Sequence, residues 1–243
     1  MDQTFLIAAV IACVSLLYAA AGQSGGTAFL AVMAFASFPA VEMRATALLL
    51  NIVAAGYATW RLHRRAAINR ALLLHVTLPS LIAAFLGGLL VLSGRAYFLL
   101  TGLLLVIAAG VMLLRRAADT VEARPVHFLQ SGLVGIAAGF ISGLTGVGGG
   151  VYLTPLIIGL GWVSPRQAAT LAPPFILCNS VLGLAGVLLA GQRLATGATL
   201  YAIAALVGAV SGTAIGIRWM SEQATRYVLA VILLLAGLRL IFH

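Results

Sequence analysis

Again and again this sequence runs for sixteen residues or more with no charged side chain, as in IAAVIACVSLLYAAAG (7–22) and YFLLTGLLLVIAAGVMLL (97–114). Such runs narrow the choice of fold more than any motif does. In hydrocarbon every backbone N–H and C=O must be satisfied within the protein, which leaves helices or closed barrels. A barrel would alternate apolar and polar residues along short strands. Nothing here alternates in that way. With 63% hydrophobic and only 8% charged residues, no soluble domain fits either. The sequence predicts an all-α polytopic membrane protein sitting in a lipid bilayer.

The basic residues are fourteen arginines and no lysine against five acids, for a net charge of +9. The arginines cluster between the apolar runs, where the positive-inside rule accounts for them, and nucleic-acid binding is not expected. Cys13 and Cys178 each lie in an apolar run and imply neither a disulfide framework nor a metal site. The amino-terminal run lacks a basic n-region and carries Asp2, so it reads as a first membrane helix, not as a cleaved leader.

Breaks between the runs define ten segments, roughly 4–21, 27–38, 43–60, 71–92, 96–114, 128–146, 149–160, 166–189, 199–217 and 224–241. One polar linker, RRAADTVEARP (115–125), divides them. The expected organisation is a first transmembrane repeat over 1–117, a linker over 118–126 and a second repeat over 127–243, with about five segments in each half. GQSGGTAFLAVMAFASFPAVEMRAT (22–46) lies over GVGGGVYLTPLIIGLGWVSPRQAAT (146–170) without a gap. Gly25, Gly26, Ala45 and Thr46 then fall on Gly149, Gly150, Ala169 and Thr170.

The second segment of each half is too short for a hydrocarbon core of about 30 Å. Segments 1–2 and 6–7 should therefore meet at glycine-rich breaks, as short broken helices. If all ten segments cross, the halves are inverted, and ten arginines lie on the side of 61–70 against four on the other. If each short segment only completes its neighbour's crossing, the halves are parallel, at nine against five. Gly135, Gly139 and Gly143 form one bare helix face, as do Gly208, Gly212 and Gly216. Both faces suit close helix packing, and oligomer contacts are the other use open to them.

The break GLTGVGGGVYLTP (143–155) can be a surface turn or an anion cradle. Helix N-termini carry partial positive charge and free N–H groups. The candidate substrate contacts are the backbone of Gly148, Gly149 and Gly150 and the hydroxyls of Thr145 and Tyr152. The first half offers Gln23, Ser24, Gly25 and Gly26 at the matching place. Asn51 and Asn179, buried amides in apolar helices, serve either as interhelical glue or as ligand contacts. Arg166 is either an interfacial anchor or an anion contact, and SPRQ (164–167) makes a helix start with Ser164 as N-cap and Gln167 completing a capping box. No carboxylate lies deep in a segment. No nucleophile–base set, nucleotide loop or metal-ligand cluster occurs, so no catalytic residue, metal or cofactor is expected and the chain is not read as an enzyme.

SGLTGVGGGVYLTPLIIGLGWVSPRQAATLAPPFILCNSVLGLAG (142–186) resembles the second-half signature of the TauE/SafE sulfite exporter family, and ATALLLNIVAAGYATWR (45–61) is similar to the corresponding first-half stretch. The resemblance implies a bacterial inner-membrane transporter of sulfite, organosulfonates or related small anions. The first half departs from it: part of the glycine pattern is lost, and Ala31 stands where the second half has Pro155. The expected function is a secondary transporter, as an exporter, of a small anion such as sulfite or a sulfonate. Two alternatives stay open: a permease of the same architecture for a sulfur-free organic anion, and a non-transporting membrane scaffold.

Overall fold

The computed structural model describes residues 3–20, 25–64, 68–92, 94–114, 126–215 and 222–242. Within them the chain forms ten helices and no strand: α1 Gln3–Ala20, α2 Gly26–Phe35, α3 Ala40–His63, α4 Arg70–Leu89, α5 Gly94–Leu114, α6 Phe128–Thr145, α7 Gly150–Gly159, α8 Pro165–Leu189, α9 Ala198–Ile215 and α10 Glu222–Ile241. Each expected segment is a helix. The largest shift is at α3, three residues longer at each end than its apolar run. Pro39 supplies the extended residue before α3, Glu42 sits in its first turn and Arg61 and His63 in its last. Those charges complement the helix dipole, so the helix outruns its hydrophobic stretch. At α8 the expected start is present: Ser164 Oγ accepts from Gln167 N (3.3 Å) and Gln167 Oε1 from Ser164 N (3.0 Å). Five of the helices, α1, α4, α5, α6 and α8, are long and apolar enough to cross a membrane.

Packing follows the small residues. A Cβ at Gly135, Gly139 or Gly143 would strike the carbonyl oxygens of Val76, Ser80 or Ala84, so α6 lies directly on the backbone of α4 and runs in the same direction. Gly208 and Gly212 meet Ala12 O and Leu16 O in the same way, placing α9 alongside α1, where Ser15 Oγ also donates to Ala205 O (2.6 Å). Gly102 and Gly237 bring α5 and α10 together, and α3 crosses α8 antiparallel, with Leu48 near Gly183 and Gly56 near Leu177. These glycine faces, as expected for close packing, are filled from within the chain, except Gly216, which lies outside the described residues. The linker 115–125 and the half boundary expected there also lie outside them.

Two ends of the bundle are defined by contacts. At one, Arg239 Nη2 donates to Ser37 Oγ (2.9 Å), and Ala195 N and Arg193 N donate to Thr46 Oγ1 and Val41 O at the start of α3. At the other, the His75 ring sits edge-on to Phe128 at 5.1 Å and Arg64 lies over Trp60. Charged and aromatic side chains at both ends suit membrane interfaces.

Direct backbone contact between α4 and α6 makes a specific demand on Gly139. Gly139→Val should lower stability by about 1–3 kcal/mol or more through overpacking. The readout is a lower melting temperature in detergent, with Gly94→Ala, where an added Cβ meets nothing within 4 Å, as the unaffected control.

Candidate functional site

α2 and α7 have ten residues each, so each spans only about 15 Å. Neither can cross a membrane alone. Gly25, the residue before α2, has φ 70°, and the loop before α7 carries Gly146, Gly148 and Gly149 at 84°, 87° and 73°. Only glycine takes this left-handed conformation cheaply, which is why the break is built of it. The two helix starts meet. A Cβ on Gly26 would strike Val147 O and lie 2.8 Å from Asn51 Oδ1, and one on Gly148 would lie 3.0 Å from Asn51 Nδ2.

Asn51 is the hub of this junction. It is fully buried in α3, and its Nδ2 donates to Gly146 O (3.1 Å). Its Oδ1 has no hydrogen-bond donor among the described residues. Neither Gly25 nor Gly149 provides a side-chain cap. Ala28 and Tyr152 N–H turn back to the carbonyls of Gly25 and Gly149, and Gly150 N–H to Gly148 O. Among the described residues no acceptor meets the remaining first-turn N–H groups at either start, and the two helix dipoles bring partial positive charge to one buried amide.

The other expected contacts divide. Gly25, Gly26, Gly148, Gly149, Gly150 and Asn51 are gathered here. Gly149 faces inward, with a Cβ position 2.9 Å from Ala138 O and 3.0 Å from Phe175 Cε1. A side chain there would therefore disturb packing before it reached any ligand. Thr145 Oγ1 is engaged by its own helix, donating to Ile141 O (2.7 Å) and accepting from Val147 N (3.4 Å). The Tyr152 hydroxyl is buried without a partner among the described residues, close to Tyr97. Asn179 is buried in α8, its Nδ2 turned to Phe175 O (2.9 Å) and its Oδ1 unpartnered, and it shares no hydrogen bond with Asn51. Gln23 and Ser24 lie outside the described residues, as does the side chain of Arg166, whose backbone stands in the first turn of α8.

Arg44 was missed. Sequence reasoning left it among the arginines of the membrane surface, yet it is completely buried. Its Nη2 donates to Gly88 O (2.6 Å), its Nη1 to Leu90 O (2.7 Å) and Leu144 O (3.2 Å), and its Nε to Gln192 Oε1 (3.1 Å). These acceptors are at the ends of α4 and α6 and just beyond α8. The guanidinium supplies donors where helix C-termini leave carbonyls unsatisfied and negative charge gathers. Beside it Tyr97 donates its hydroxyl to Thr145 O (3.0 Å). Tyr97 and Gln192 line a cavity of about 410 Å³ together with Phe38, Pro39, Leu92 and Phe98. No sequence signal ties Arg44 to a glutamine 148 residues away. The only hint was an arginine inside a helix with no acid three or four residues off.

Comparison with known proteins says what kind of membrane protein this is. The family model described as "Sulfite exporter TauE/SafE" matches residues 7–240. This chain belongs to the TauE/SafE family. It is also 31% identical over 233 residues, 94% of either chain, to a protein of Sinorhizobium fredii (strain NBRC 101917 / NGR234) named "Probable membrane transporter protein y4hK". Membership makes the chain a membrane transporter, not an enzyme, and sets aside the scaffold alternative. Within this TauE/SafE protein the glycine signature 146–150 is the loop that leads into α7 and meets Asn51 at Gly146 and Gly148.

Removing Arg44 should be costly even though it is not a surface anchor. Arg44→Leu leaves the carbonyls of Gly88, Leu90 and Leu144 without a donor, at roughly 1–3 kcal/mol for each buried unsatisfied group. The expected result is a strongly reduced yield of folded protein, seen as loss of the monodisperse peak in size-exclusion chromatography. Arg44→Lys, with one ammonium in place of a fork, should recover part of it.

Proposed function

We infer that this protein is a secondary transporter of a small anion, sulfite or an organosulfonate, working as an exporter in a bacterial inner membrane. The observation that carries the reading is the convergence of two uncapped half-helix starts on buried Asn51. Half-helices with N-termini aimed at one point recur in transporters for anionic substrates, because the dipole ends and free N–H groups replace the water an anion loses. The family name and the relative's name agree with transport. The sulfur oxyanion rests on the family resemblance, and export on the family description.

The two halves, 1–117 and 127–243, are read as inverted repeats joined by the linker 118–126. The helix pairings support this. α1 packs along α9 just as α6 packs along α4, and the like-numbered partners α3 and α8 cross antiparallel. An inverted duplication requires both patterns, whereas parallel repeats would run α3 and α8 the same way. With ten arginines on the side of the loop 61–70 against four on the other when all ten segments cross, the positive-inside rule favours the loop 61–70 in the cytoplasm and the C-terminus outside.

Asn51→Asp tests the site with almost no change of shape. A carboxylate there would sit where the substrate's negative charge is proposed to rest, favoured by both helix starts. Loss of the Nδ2 bond to Gly146 O should lower the melting temperature while the protein still elutes as a folded species, and sulfite and taurine flux in proteoliposomes should fall at least tenfold. Undiminished flux would remove Asn51 from the site. For orientation, a cysteine in place of exposed Phe242 should react with an impermeant maleimide only from outside the cell; labelling from the cytoplasm alone would reverse the assignment.

A further inference from the structure

We propose that the cavity between α3, α5 and the segment after α8 is a second anion site, a vestibule in which Gln192 relays the charge of Arg44 to an organic anion. The proposal rests on the anion-transport reading for its role but concerns other residues and the outer end of the bundle.

Three observations carry it. The first is the unneutralised charge. Arg44 is fully buried, and its partners among the described residues are carbonyl and amide oxygens. Nη1 and Nη2 are committed to helix ends, so Nε alone reaches a side chain that borders open space. The second is the orientation of Gln192. Its Oε1 accepts from Arg44, which leaves its amide NH₂ with no acceptor among the described residues, on a side chain that lines the cavity. A donor polarised by a cation behind it suits an anionic oxygen. The third is the mouth. Arg239 is bonded to Ser37 on the cavity wall, exposed Arg193 follows Gln192, and exposed Arg95 follows Gly94 of the lining, with Glu42 the one acid here among the described residues. Such a ring raises the local anion concentration.

The rest of the lining sets the class of anion. Phe38, Pro39, Leu92 and Phe98 are apolar, and the volume of about 410 Å³ far exceeds the needs of a bare oxyanion. The ligand that fits has a sulfonate or carboxylate head toward the free Gln192 amide and an apolar body against these rings. Sulfite fills only the polar end, so the vestibule binds an aryl or alkyl sulfonate in preference to sulfite.

Benzenesulfonate and sulfite are the probes, on purified full-length protein. Benzenesulfonate should raise the melting temperature of wild type at lower concentration than sulfite does. Gln192→Glu places a carboxylate beside Arg44, forming an ion pair that keeps the fold and repels the ligand. The benzenesulfonate-dependent shift should need at least tenfold more ligand, with the ligand-free melting temperature unchanged or higher. Gln192→Ala should weaken the shift three- to tenfold. Asn51→Asp should keep the shift while losing flux. An unaltered shift in Gln192→Glu overturns the vestibule, as does a shift lost in Asn51→Asp and retained in Gln192→Glu, which would leave the junction as the binding site. A shift lost in Gln192→Glu while Asn51→Asp transports normally would instead overturn the junction and leave the vestibule standing.

Discussion

The structure depends on a positive charge held where no water reaches it. Burying a guanidinium costs several kcal/mol in desolvation alone, and only a full set of acceptors offsets that. Arg44 finds them in Gly88, Leu90, Leu144 and Gln192. None belongs to its own helix. One side chain thereby fixes the depth of α3 against the ends of α4 and α6 and against the turn after α8. It also fixes the loop that begins at Gly146, whose Cβ position is 3.0 Å from Arg44 O. The glycine break and the buried charge are thus neighbours, and the half-helix α7 starts where it does because the end of α6 is pinned beside it.

That arrangement gives the two halves different chemistry at equivalent steps. The second-half loop takes left-handed φ at three glycines and wraps Asn51 through Gly146 O. The α2 start has Gly25 alone among the described residues in that conformation, and its helix enters the core at once, with Gly26 through Ala34 buried. α7 is more open, with only Gly150, Leu153 and Ile157 fully buried, and Pro155 removes one of its backbone bonds.

Much of this was legible from residues. The ten helices follow from apolar runs because, in hydrocarbon, an uninterrupted run has no other way to satisfy its backbone. Ser164 and Gln167 announced the start of α8 because a capping box is local. Gly135, Gly139 and Gly143 marked a packing face because bare helix backbone attracts another helix. The two glycine breaks pointed to a junction, and Gly26 and Val147 do touch there. What stayed hidden is non-local. An arginine near a segment end looks the same whether it faces lipid headgroups or three helix ends, so the burial of Arg44 could not be seen. Thr145 seemed a donor for a ligand until the register of α6 turned its hydroxyl onto Ile141 O. Gln192 lies in a polar turn like any other, and only the fold brings it to Arg44.

The pairing of α1 with α9 bears on how such a chain is made. Ser15 and its acceptor Ala205 are 190 residues apart. At about 5–20 residues per second of synthesis, α1 waits on the order of 10–40 s in the bilayer before its partner exists. During that time its small-residue groove and hydroxyl face lipid or a neighbouring chain. α4, by contrast, meets α6 within a few tens of residues. The carboxy-terminal half can therefore close around α4 as it emerges, while α1 is clasped only when α9 arrives and α2 only when α10 brings Arg239 to Ser37.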